Sequence, residues 1–217
     1  MKLRQPRSDM PDLNSDLHGN APDKSAVALM IIDMINDLEF DGGERLEQRA
    51  IEAARRTAAL RTRCQEAGVP VIYANDNFGR WRSDFRQVVD RVLHDGVRGQ
   101  PLAELLEPAG NDYFVLKPKH SAFFETTLET LLRYLGVRRL ILTGITGDIC
   151  VKLTANDAYM RDYEILIPVD CTASIDPDEN EHALAYCERV LKARLVRSDE
   201  LDPAALKEEP AAEAQER

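Results

Sequence analysis

Short apolar runs alternate with longer segments of periodic hydrophobicity along most of this chain. The runs have the length of buried strands, whereas apolar residues recur every three to four positions in the longer segments, as they do in amphipathic helices. The pattern predicts strands over residues 27–33, 69–74, 113–116, 137–143 and 165–169, and a short last strand near Leu195. It predicts helices over residues 46–67, 85–94, 126–135 and 179–193, and one more directly after Cys150.

Strands and helices that alternate in this way build a parallel sheet with helices on both faces. We therefore predict an α/β fold with three layers, α/β/α, around an open, mostly parallel six-stranded sheet of the Rossmann-like kind. In open parallel sheets, ligands bind beyond the carboxyl ends of the strands, where loops lead into helices. Side chains at those strand ends are the first candidates for a functional site.

The alternating pattern covers residues 25–198, which we expect to form one domain. The chain has 217 residues, of which 44% are hydrophobic, and this is enough for one large core. Residues 1–24 are polar and lack the apolar segment of a signal peptide, so we interpret them as an N-terminal extension. Residues 199–217 are rich in Glu, Ala and Pro, and we expect an acidic, disordered tail there.

The formal net charge of −10 narrows the classes of partner. Nucleic acids and anionic membranes bind basic surfaces, so we expect neither as a partner. No apolar run approaches the roughly 18 residues that span a bilayer. The four cysteines are scattered without a CxxC pair, which predicts reduced thiols. We therefore expect a cytoplasmic protein that acts on a small molecule.

Cys150 stands where the predicted strand 137–143 gives way to a helix. A thiol in the first turn of a helix lies near unpaired amides and the positive end of the helix dipole, which lower its pKa from about 8.5. We therefore expect a nucleophilic thiolate at neutral pH. The alternative is that Cys150 is a small buried apolar residue. Core packing is our interpretation for Cys64 and Cys187, which fall on the apolar stripes of predicted helices.

Asp33 and Lys117 also stand at predicted strand ends. An aspartate in such a place often caps the next helix or turn, and a lysine before Pro118 ordinarily points into solvent. Together with Cys150, however, they supply what acyl chemistry on a thiol requires: a nucleophile, a carboxylate that takes its proton and a cation that stabilises negative charge. If the strands before Asp33 and Cys150 are neighbours in the sheet, the three side chains converge.

Three segments of the chain resemble the isochorismatase-like cysteine hydrolases, a family that includes nicotinamidases, carbamoylsarcosine-type amidohydrolases and ureido or biuret hydrolases. The segments read ALMIIDMINDL, VLKPKHSAFFETTL and LTGITGDICVKLTANDAYMRDYEILIPVDCTAS. They occur in the family's order, with the strand and helix pattern between them, and the resemblance extends over about residues 26–197. It implies the three-layer fold that the alternation predicts.

The resemblance also implies roles for individual residues. Cys150 would be the nucleophile, Asp33 the general base and Lys117 the third member of a catalytic triad. A cis peptide bond would join Ile145 to Thr146, and the backbone amides of Thr146 and Cys150 would form the oxyanion hole. The implied reaction is hydrolysis of a C–N bond in a small amide, carbamoyl or ureido compound through a thioester, a reaction that needs no cofactor.

The chain departs from the family pattern at several positions. Nicotinamidases bind a metal through an aspartate and histidines after the second strand, but here that region has Asp76 and no histidine before His94. We therefore expect no metal. Ile35 and Leu38 replace the Gln and Phe that are common in the first motif, which predicts an altered pocket wall. Gly147 stands where threonine is frequent.

The best candidates for substrate contacts lie after the second and third strands: Asn77, Trp81, Arg82 and His120. An aromatic ring and a guanidinium group beyond a strand end suit a flat or anionic substrate. The alternative is that the aromatic residues of this loop pack against a helix or a neighbouring subunit. The family usually forms dimers or tetramers, so we expect a homodimer or homotetramer.

Two other functions are compatible with the sequence. Family members that hydrolyse the vinyl ether of isochorismate can dispense with the cysteine, since that reaction proceeds by protonation and attack of water. The presence of Cys150 favours C–N hydrolysis without excluding the ether reaction. A relative that has kept the fold as a non-catalytic binding module is the third hypothesis.

Overall fold

A single parallel sheet forms the centre of the protein in the computed structural model, which describes residues 24–77 and 84–209. Within these ranges the strands are β1 Val27–Ile32, β2 Val71–Asp76, β3 Tyr113–Lys117, β4 Arg139–Ile145, β5 Glu164–Pro168, β6 Thr172–Ala173 and β7 Arg194–Val196. Six of them lie in the order β3-β2-β1-β4-β5-β7, and the two-residue strand β6 pairs with β4. Every pairing is parallel.

Helices cover both faces of this sheet. Within the described ranges they are α1 Gly43–Glu66, α2 Phe85–His94, α3 Gln100–Leu105, α4 Leu128–Leu135, α5 Lys152–Tyr159, α6 Pro177–Leu191 and α7 Pro203–Glu208. Helices α1, α2, α3 and α7 contribute to one hydrophobic cluster. Helices α4, α5 and α6 contribute to the other. The predicted three-layer α/β/α fold with a parallel sheet is confirmed.

Strand β1 shows why its sequence is apolar at every position. All six of its residues are buried. Val27, Leu29 and Ile31 face the cluster of α1, whereas the residues between them face the cluster of α4 to α6. A strand in the centre of a covered parallel sheet has no solvent face, so it reads as a continuous apolar run.

The predicted elements recur with small shifts in their ends. Gly136 ends α4 in the left-handed conformation, as a glycine C-cap does. Strand β2 extends two residues beyond its predicted end, so Asn75 and Asp76 belong to the strand and not to a loop. The pattern did not predict α3, β6 or α7, because each has six residues or fewer and shows too little periodicity to recognise.

The expectation of a disordered tail from residue 199 is wrong as far as residue 209. Asp202 accepts hydrogen bonds from the amides of Ala204 and Ala205 and so caps α7. Leu206 is 3% exposed and packs in the cluster of α1, and its carbonyl accepts a hydrogen bond of 2.7 Å from Arg139. The cap, the buried Leu206 and the hydrogen bonds of Lys207 to the carbonyls of Ala67 and Gly68 order this short helix against the domain.

All four cysteines are free thiols, and three of them lie in the interior. Cys64 and Cys187 pack in the two hydrophobic clusters, as their helix positions predicted. Cys171 is also buried. None of the helices in the described ranges is both long enough and apolar enough to cross a membrane.

Candidate active site

The three candidate residues lie at the carboxyl edge of the sheet. Strands β1 and β4 are neighbours, and Ile32 at the end of β1 is in register with Gly144 near the end of β4. The chain enters the sheet at β1 and extends in opposite directions from this pair, through β2 to β3 and through β4 to β5. Such a reversal is where open α/β sheets bind ligands. Strands β1 and β4 are therefore neighbours in the sheet, as the predicted convergence of Asp33, Lys117 and Cys150 requires.

The ends of β1 and β4 approach each other closely. Gly144 has φ +136°, and a Cβ at this position would lie 2.1 Å from the carbonyl oxygen of Ile32. Only glycine fits such a contact in this conformation. Directly after it, the peptide bond between Ile145 and Thr146 is cis. The close approach puts the turn after β4 next to Asp33.

Asp33 is held by contacts on both carboxylate oxygens. Oδ1 accepts a hydrogen bond of 2.8 Å from the backbone amide of Asp76, and Oδ2 lies 2.7 Å from Nζ of Lys117. The residue is 4% exposed. Its φ of +52° is left-handed, a conformation that aspartate tolerates better than most residues. Burial raises the pKa of Asp33 above its usual 3.8, although Lys117 opposes that shift.

Lys117 is entirely buried at the end of β3, two strands away from β1. The expectation that a lysine before proline points into solvent does not hold here. Its Nζ lies 3.3 Å from the carbonyl oxygen of Lys119 and 3.7 Å from Sγ of Cys150. Burial lowers the pKa of Lys117, but the Asp33 carboxylate and the Cys150 sulfur outweigh that effect, and the pKa is raised. The ammonium group therefore stays charged.

Cys150 is partly exposed and lies in a π-helical turn, Gly147–Val151, that leads into α5. Its Sγ is 3.7 Å from Nζ of Lys117 and 3.8 Å from Nδ1 of His120. Lys117 and Asp33 bound the sulfur on the buried side, and His120 is exposed. The geometry brings a thiol, a carboxylate and an ammonium group into mutual contact.

The expectation of a lowered thiol pKa is not met. Burial raises the pKa of the Cys150 thiol to about 12, and the negative charge of Asp33 adds to the increase. Lys117 and the backbone amide of Thr146 act in the opposite direction without overcoming it. The sequence predicts only that Cys150 lies at the start of a helix. It does not show how deeply the sulfur is buried or that a carboxylate lies beside it.

His120 lies near the sulfur because its loop is fastened to α5. Ser121 Oγ donates a short hydrogen bond to Asp157, and the amide of Ala122 donates one of 3.0 Å to Oγ1 of Thr154. Both acceptors belong to α5, the helix that begins after Cys150. The loop and the nucleophile turn are thus anchored to the same helix.

The other predicted contact residues divide into two groups. Asn77 is 7% exposed, and its amide donates a hydrogen bond of 3.2 Å to the carbonyl of Lys117, next to the site. Trp81 and Arg82 lie outside the described residues. Ile35 and Leu38 are completely buried in the cluster of α1, and their effect on the pocket wall stays a prediction.

Three backbone amides in the turn around Cys150 donate hydrogen bonds within the protein. The amides of Ile149 and Val151 donate to the carbonyl of Thr146, at 3.3 and 3.1 Å. The amide of Asp148 donates to Oγ of Ser174 at 3.1 Å. The two predicted oxyanion donors, the amides of Thr146 and Cys150, belong to the same stretch of backbone.

Sequence reasoning missed two contributors to the site. The amide of Asp76 orients the Asp33 carboxylate, and Ser174 holds the turn of the nucleophile. The signal for Asp76 was its place at the end of the strand next to Asp33. Within the described ranges, no three His, Cys, Asp or Glu side chains are grouped as a metal site would require.

Comparison with known proteins places this geometry in a family. A sequence profile of the isochorismatase domain matches residues 27–197. The chain belongs to the isochorismatase family. The predicted family and fold are therefore confirmed, and the protein is an isochorismatase-family hydrolase.

Two curated relatives and one solved structure illustrate the similarity. An uncharacterized isochorismatase family protein of Bacillus subtilis (strain 168) is 43% identical over 178 residues, 82% of this chain and 97% of that protein. The ureidoacrylate amidohydrolase of Yersinia enterocolitica is 26% identical over 188 residues, 75% of this chain and 81% of that protein. The N-carbamoylsarcosine amidase of Thermoplasma acidophilum has a TM-score of 0.62 and 28% identity, covering 81% of this chain and 98% of that one.

Proposed function

We propose that this isochorismatase-family protein is a cysteine hydrolase that cleaves a C–N bond in a small amide, carbamoyl or ureido compound. The supporting observation is the contact of three groups: Lys117 Nζ lies 2.7 Å from Oδ2 of Asp33 and 3.7 Å from Sγ of Cys150. A buried lysine held between a carboxylate and a thiol has no packing role that a leucine would not fill better. The grouping suits nucleophilic catalysis.

In the first half of the reaction, Asp33 accepts the thiol proton as the Cys150 sulfur attacks the substrate carbonyl carbon. The negative charge that develops on the carbonyl oxygen is stabilised by the amides of Thr146 and Cys150. Lys117 keeps Asp33 oriented and adds a positive charge beside the sulfur. Asp33 then gives its proton to the substrate nitrogen, the C–N bond breaks and a thioester remains on Cys150.

In the second half, Asp33 takes a proton from water, and the resulting hydroxide attacks the thioester carbonyl. The C–S bond breaks, the acid product leaves and the proton on Asp33 returns to the sulfur. Each group ends in the state in which it began. Because burial and Asp33 raise the thiol pKa to about 12, the sulfur of the free protein is protonated at neutral pH, and we assign its deprotonation to the attack step.

Amide and ureido substrates are favoured by two relatives. One is named as a ureidoacrylate amidohydrolase and the other as an N-carbamoylsarcosine amidase, both of which act on nitrogen-linked carbonyl groups. We propose that Asn77 and His120, together with Trp81 and Arg82, contact the substrate. His120 has the best-supported place, since its Nδ1 is 3.8 Å from the sulfur.

The deciding experiment is a screen of small primary amides, N-carbamoyl amino acids and ureido acids for ammonia release. We expect turnover by the wild-type chain and a loss of about a thousandfold or more in Cys150→Ala, Asp33→Asn and Lys117→Met, as for removal of other catalytic groups. Cys187→Ala is the matched control, because it removes a thiol from the core and not from the site. Intact-protein mass spectrometry of the quenched reaction should detect an acyl group on Cys150.

Two results would overturn the proposal. Hydrolysis of isochorismate that survives Cys150→Ala but not Asp33→Asn would indicate the vinyl ether reaction. Binding of an amide or ureide without product, by a protein whose Cys150 reacts with iodoacetamide, would indicate a non-catalytic binding module. Either result would leave the fold and the contact of the three groups unchanged.

We further propose that the protein assembles as a homodimer or homotetramer. Large apolar side chains on and next to α5 support this, among them Ile149 and Leu153 and the 70% exposed Met160. Apolar surface of this kind is often covered by a partner. Light scattering after gel filtration tests the proposal, and a monomer at micromolar concentration would contradict it.

A further inference from the structure

Gly147 opens the turn that carries Cys150, and the space beside it is occupied. A Cβ built on Gly147 would lie 2.0 Å from Oδ1 of Asn180 and 3.4 Å from Oγ of Ser174. Gly147 is not among the glycines with positive φ, so its backbone conformation does not itself require glycine. The requirement comes from the Asn180 side chain, which reaches across from the first turns of α6.

Asn180 and Ser174 form a chain of hydrogen bonds that ends on the backbone of this turn. Ser174 Oγ donates to Oδ1 of Asn180 at 2.9 Å and accepts from the amide of Asp148 at 3.1 Å. Asn180 Nδ2 in turn donates to Oγ1 of Thr172 at 3.4 Å. The chain therefore connects α6 to a residue two positions before Cys150.

Ser174 is itself held in place by the sheet and by α1. It is 1% exposed and directly follows β6, which pairs with the last residues of β4, Gly144 and Ile145. Arg49 of α1 donates to the carbonyl oxygens of Ser174 and Ile175, at 3.3 and 2.6 Å. A hydroxyl fixed in this way can orient a backbone amide within a few tenths of an ångström, as an active site needs.

We propose that Ser174 and Asn180 are positioning residues that aim the nucleophile turn, and that the missing side chain at Gly147 is what lets Asn180 reach it. The inference rests on the proposed role of Cys150 as nucleophile. Neither residue contacts the three reacting groups. They act through the amide of Asp148, which lies between the two amides proposed to bind the oxyanion, so that movement of this anchor turns both donors away from the developing charge.

Two reagents distinguish an effect on the position of the oxyanion donors from an effect on the reactivity of the thiol itself. p-Nitrophenyl acetate acylates Cys150: the sulfur bonds to the acetyl carbon, the ester C–O bond breaks, p-nitrophenolate leaves and Asp33 takes the thiol proton. This step passes through an oxyanion. Iodoacetamide alkylates the same sulfur by displacement of iodide, without an oxyanion. Misplaced oxyanion donors therefore slow acylation by p-nitrophenyl acetate more than they slow alkylation by iodoacetamide.

We expect Ser174→Ala and Asn180→Ala to slow acylation by p-nitrophenyl acetate about ten- to a hundredfold, the range for a misplaced oxyanion donor. The rate of iodoacetamide alkylation at Cys150 should change far less, because the amide of Thr146 influences the thiol pKa less than burial, Asp33 and Lys117 do. Glu181→Gln is the matched control, because Glu181 is the exposed neighbour of Asn180. A variant that slows both probes equally, or neither, would overturn the inference.

A rescue experiment tests the pairing of Gly147 with Asn180. Gly147→Ala alone should lose most acylation, since its Cβ meets Oδ1 of Asn180. In Gly147→Ala/Asn180→Ala the obstruction is removed, so acylation should return to the level of Asn180→Ala alone. If the loss of acylation in the double variant equalled the product of the two single losses, the substitutions would act independently. That result would contradict the pairing of Gly147 with Asn180.

The outcomes distinguish this inference from the proposed function. If p-nitrophenyl acetate does not acylate Cys150 in the wild-type chain, the proposed function fails. If it does, and the Ser174 and Asn180 variants behave as the wild type, only the positioning role fails. Thermal unfolding checks that each variant is folded. If Gly147→Ala does not fold, Ser174→Ala and Asn180→Ala still test the positioning role.

Discussion

The sulfur of Cys150 lies between an ammonium group at 3.7 Å and an imidazole at 3.8 Å, in surroundings that raise the thiol pKa to about 12. A thiol in this environment keeps its proton at neutral pH. Attack on a substrate carbonyl then depends on an ionised Asp33, and the buried Lys117 holds that carboxylate in place. The chemistry belongs to the group of three residues and not to the cysteine alone.

The first prediction concerns alkylation of Cys150 by iodoacetamide. Only the thiolate reacts, and a pKa of about 12 makes its fraction rise about tenfold per pH unit between about pH 7 and pH 10. Peptide mapping by mass spectrometry should show this slope at Cys150. The three buried thiols should remain unlabelled in the folded protein. A rate that stays level between about pH 6 and pH 9 would instead indicate a standing thiolate.

The second prediction concerns Asp33→Asn. The Asp33 charge raises the thiol pKa and Lys117 lowers it, so removal of the carboxylate should lower the pKa. We expect alkylation at about pH 8 to become at least about tenfold faster, while hydrolysis is lost. Asparagine also tolerates the left-handed backbone of residue 33, but the substitution removes the ion-pair partner of the buried Lys117, so thermal unfolding must show that the variant is folded.

Asp37→Asn is the control for that substitution, because Asp37 pairs with Arg91 at 3.4 Å and does not contact the sulfur. It should leave the alkylation rate at its wild-type value. If Asp33→Asn slowed alkylation in proportion to turnover, Asp33 would be deprotonating the thiol toward every electrophile. The assignment of the raised thiol pKa to its charge would then be wrong.

Among the helices and strands, α7 differs most from the prediction, because the sequence predicts a disordered tail there. Its six residues are capped by Asp202, and Leu206 fills a place in the cluster of α1 on the face opposite the nucleophile helix. Arg63 also donates to the carbonyls of Ser198 and Leu201 just before α7, at 2.5 and 2.6 Å. The helix is therefore part of the domain, although it contributes nothing to the site.

The third prediction follows from that packing. Leu206→Ala should lower the free energy of unfolding by about 2 to 4 kcal/mol, the cost of truncating a buried leucine. Urea denaturation measures the loss. The rate of Cys150 alkylation should stay the same in the folded variant, because α7 packs on the other face of the sheet.

Glu208→Ala serves as the control, because Glu208 is exposed on the same helix. Its effect on stability should stay within about 0.5 kcal/mol, as for other surface substitutions. If Leu206→Ala were equally mild, the C-terminal helix would be dispensable. Residues 199–209 would then behave like the disordered tail that the sequence predicts.

At the scale of the whole molecule, the buried Asp33 contributes to how the stability of the protein depends on pH. Burial raises the pKa of Asp33, so the folded state binds this proton more readily than the unfolded chain. A raised carboxyl pKa stabilises the folded state at low pH, and that contribution is lost as the pH rises through the folded pKa. Protonation of Asp33 therefore removes the general base and does not by itself destabilise the folded state.

The fourth prediction is an acidic limit to activity that precedes acid unfolding. The rate constant kcat/KM, measured on whichever substrate the screen identifies, should fall as the pH drops through a value above 3.8. Circular dichroism at the same pH should still show the folded protein. Constant kcat/KM down to about pH 4, or activity lost only together with the folded signal, would contradict a buried aspartate base.

The amino-acid sequence by itself determined the layers of this fold and the order of its long elements. β1 reads as an unbroken apolar run because it is covered on both faces, and Gly136 ends α4 because only a residue that tolerates the left-handed conformation fits there. The same local reasoning picked Asp33, Lys117 and Cys150 as residues at strand ends. Short elements such as α7 escaped it, since six residues show too little periodicity.

Only the tertiary structure decided what those three residues do to one another. The pairing of β1 with β4 joins segments more than a hundred residues apart, and it sets the distance between Asp33 and Cys150. A thiol pKa depends on burial and on neighbouring charges, which no position along the chain reveals; the raised value at Cys150 is the result. The contact between Gly147 and Asn180 is of the same kind, because it exists only once α6 packs against the nucleophile turn.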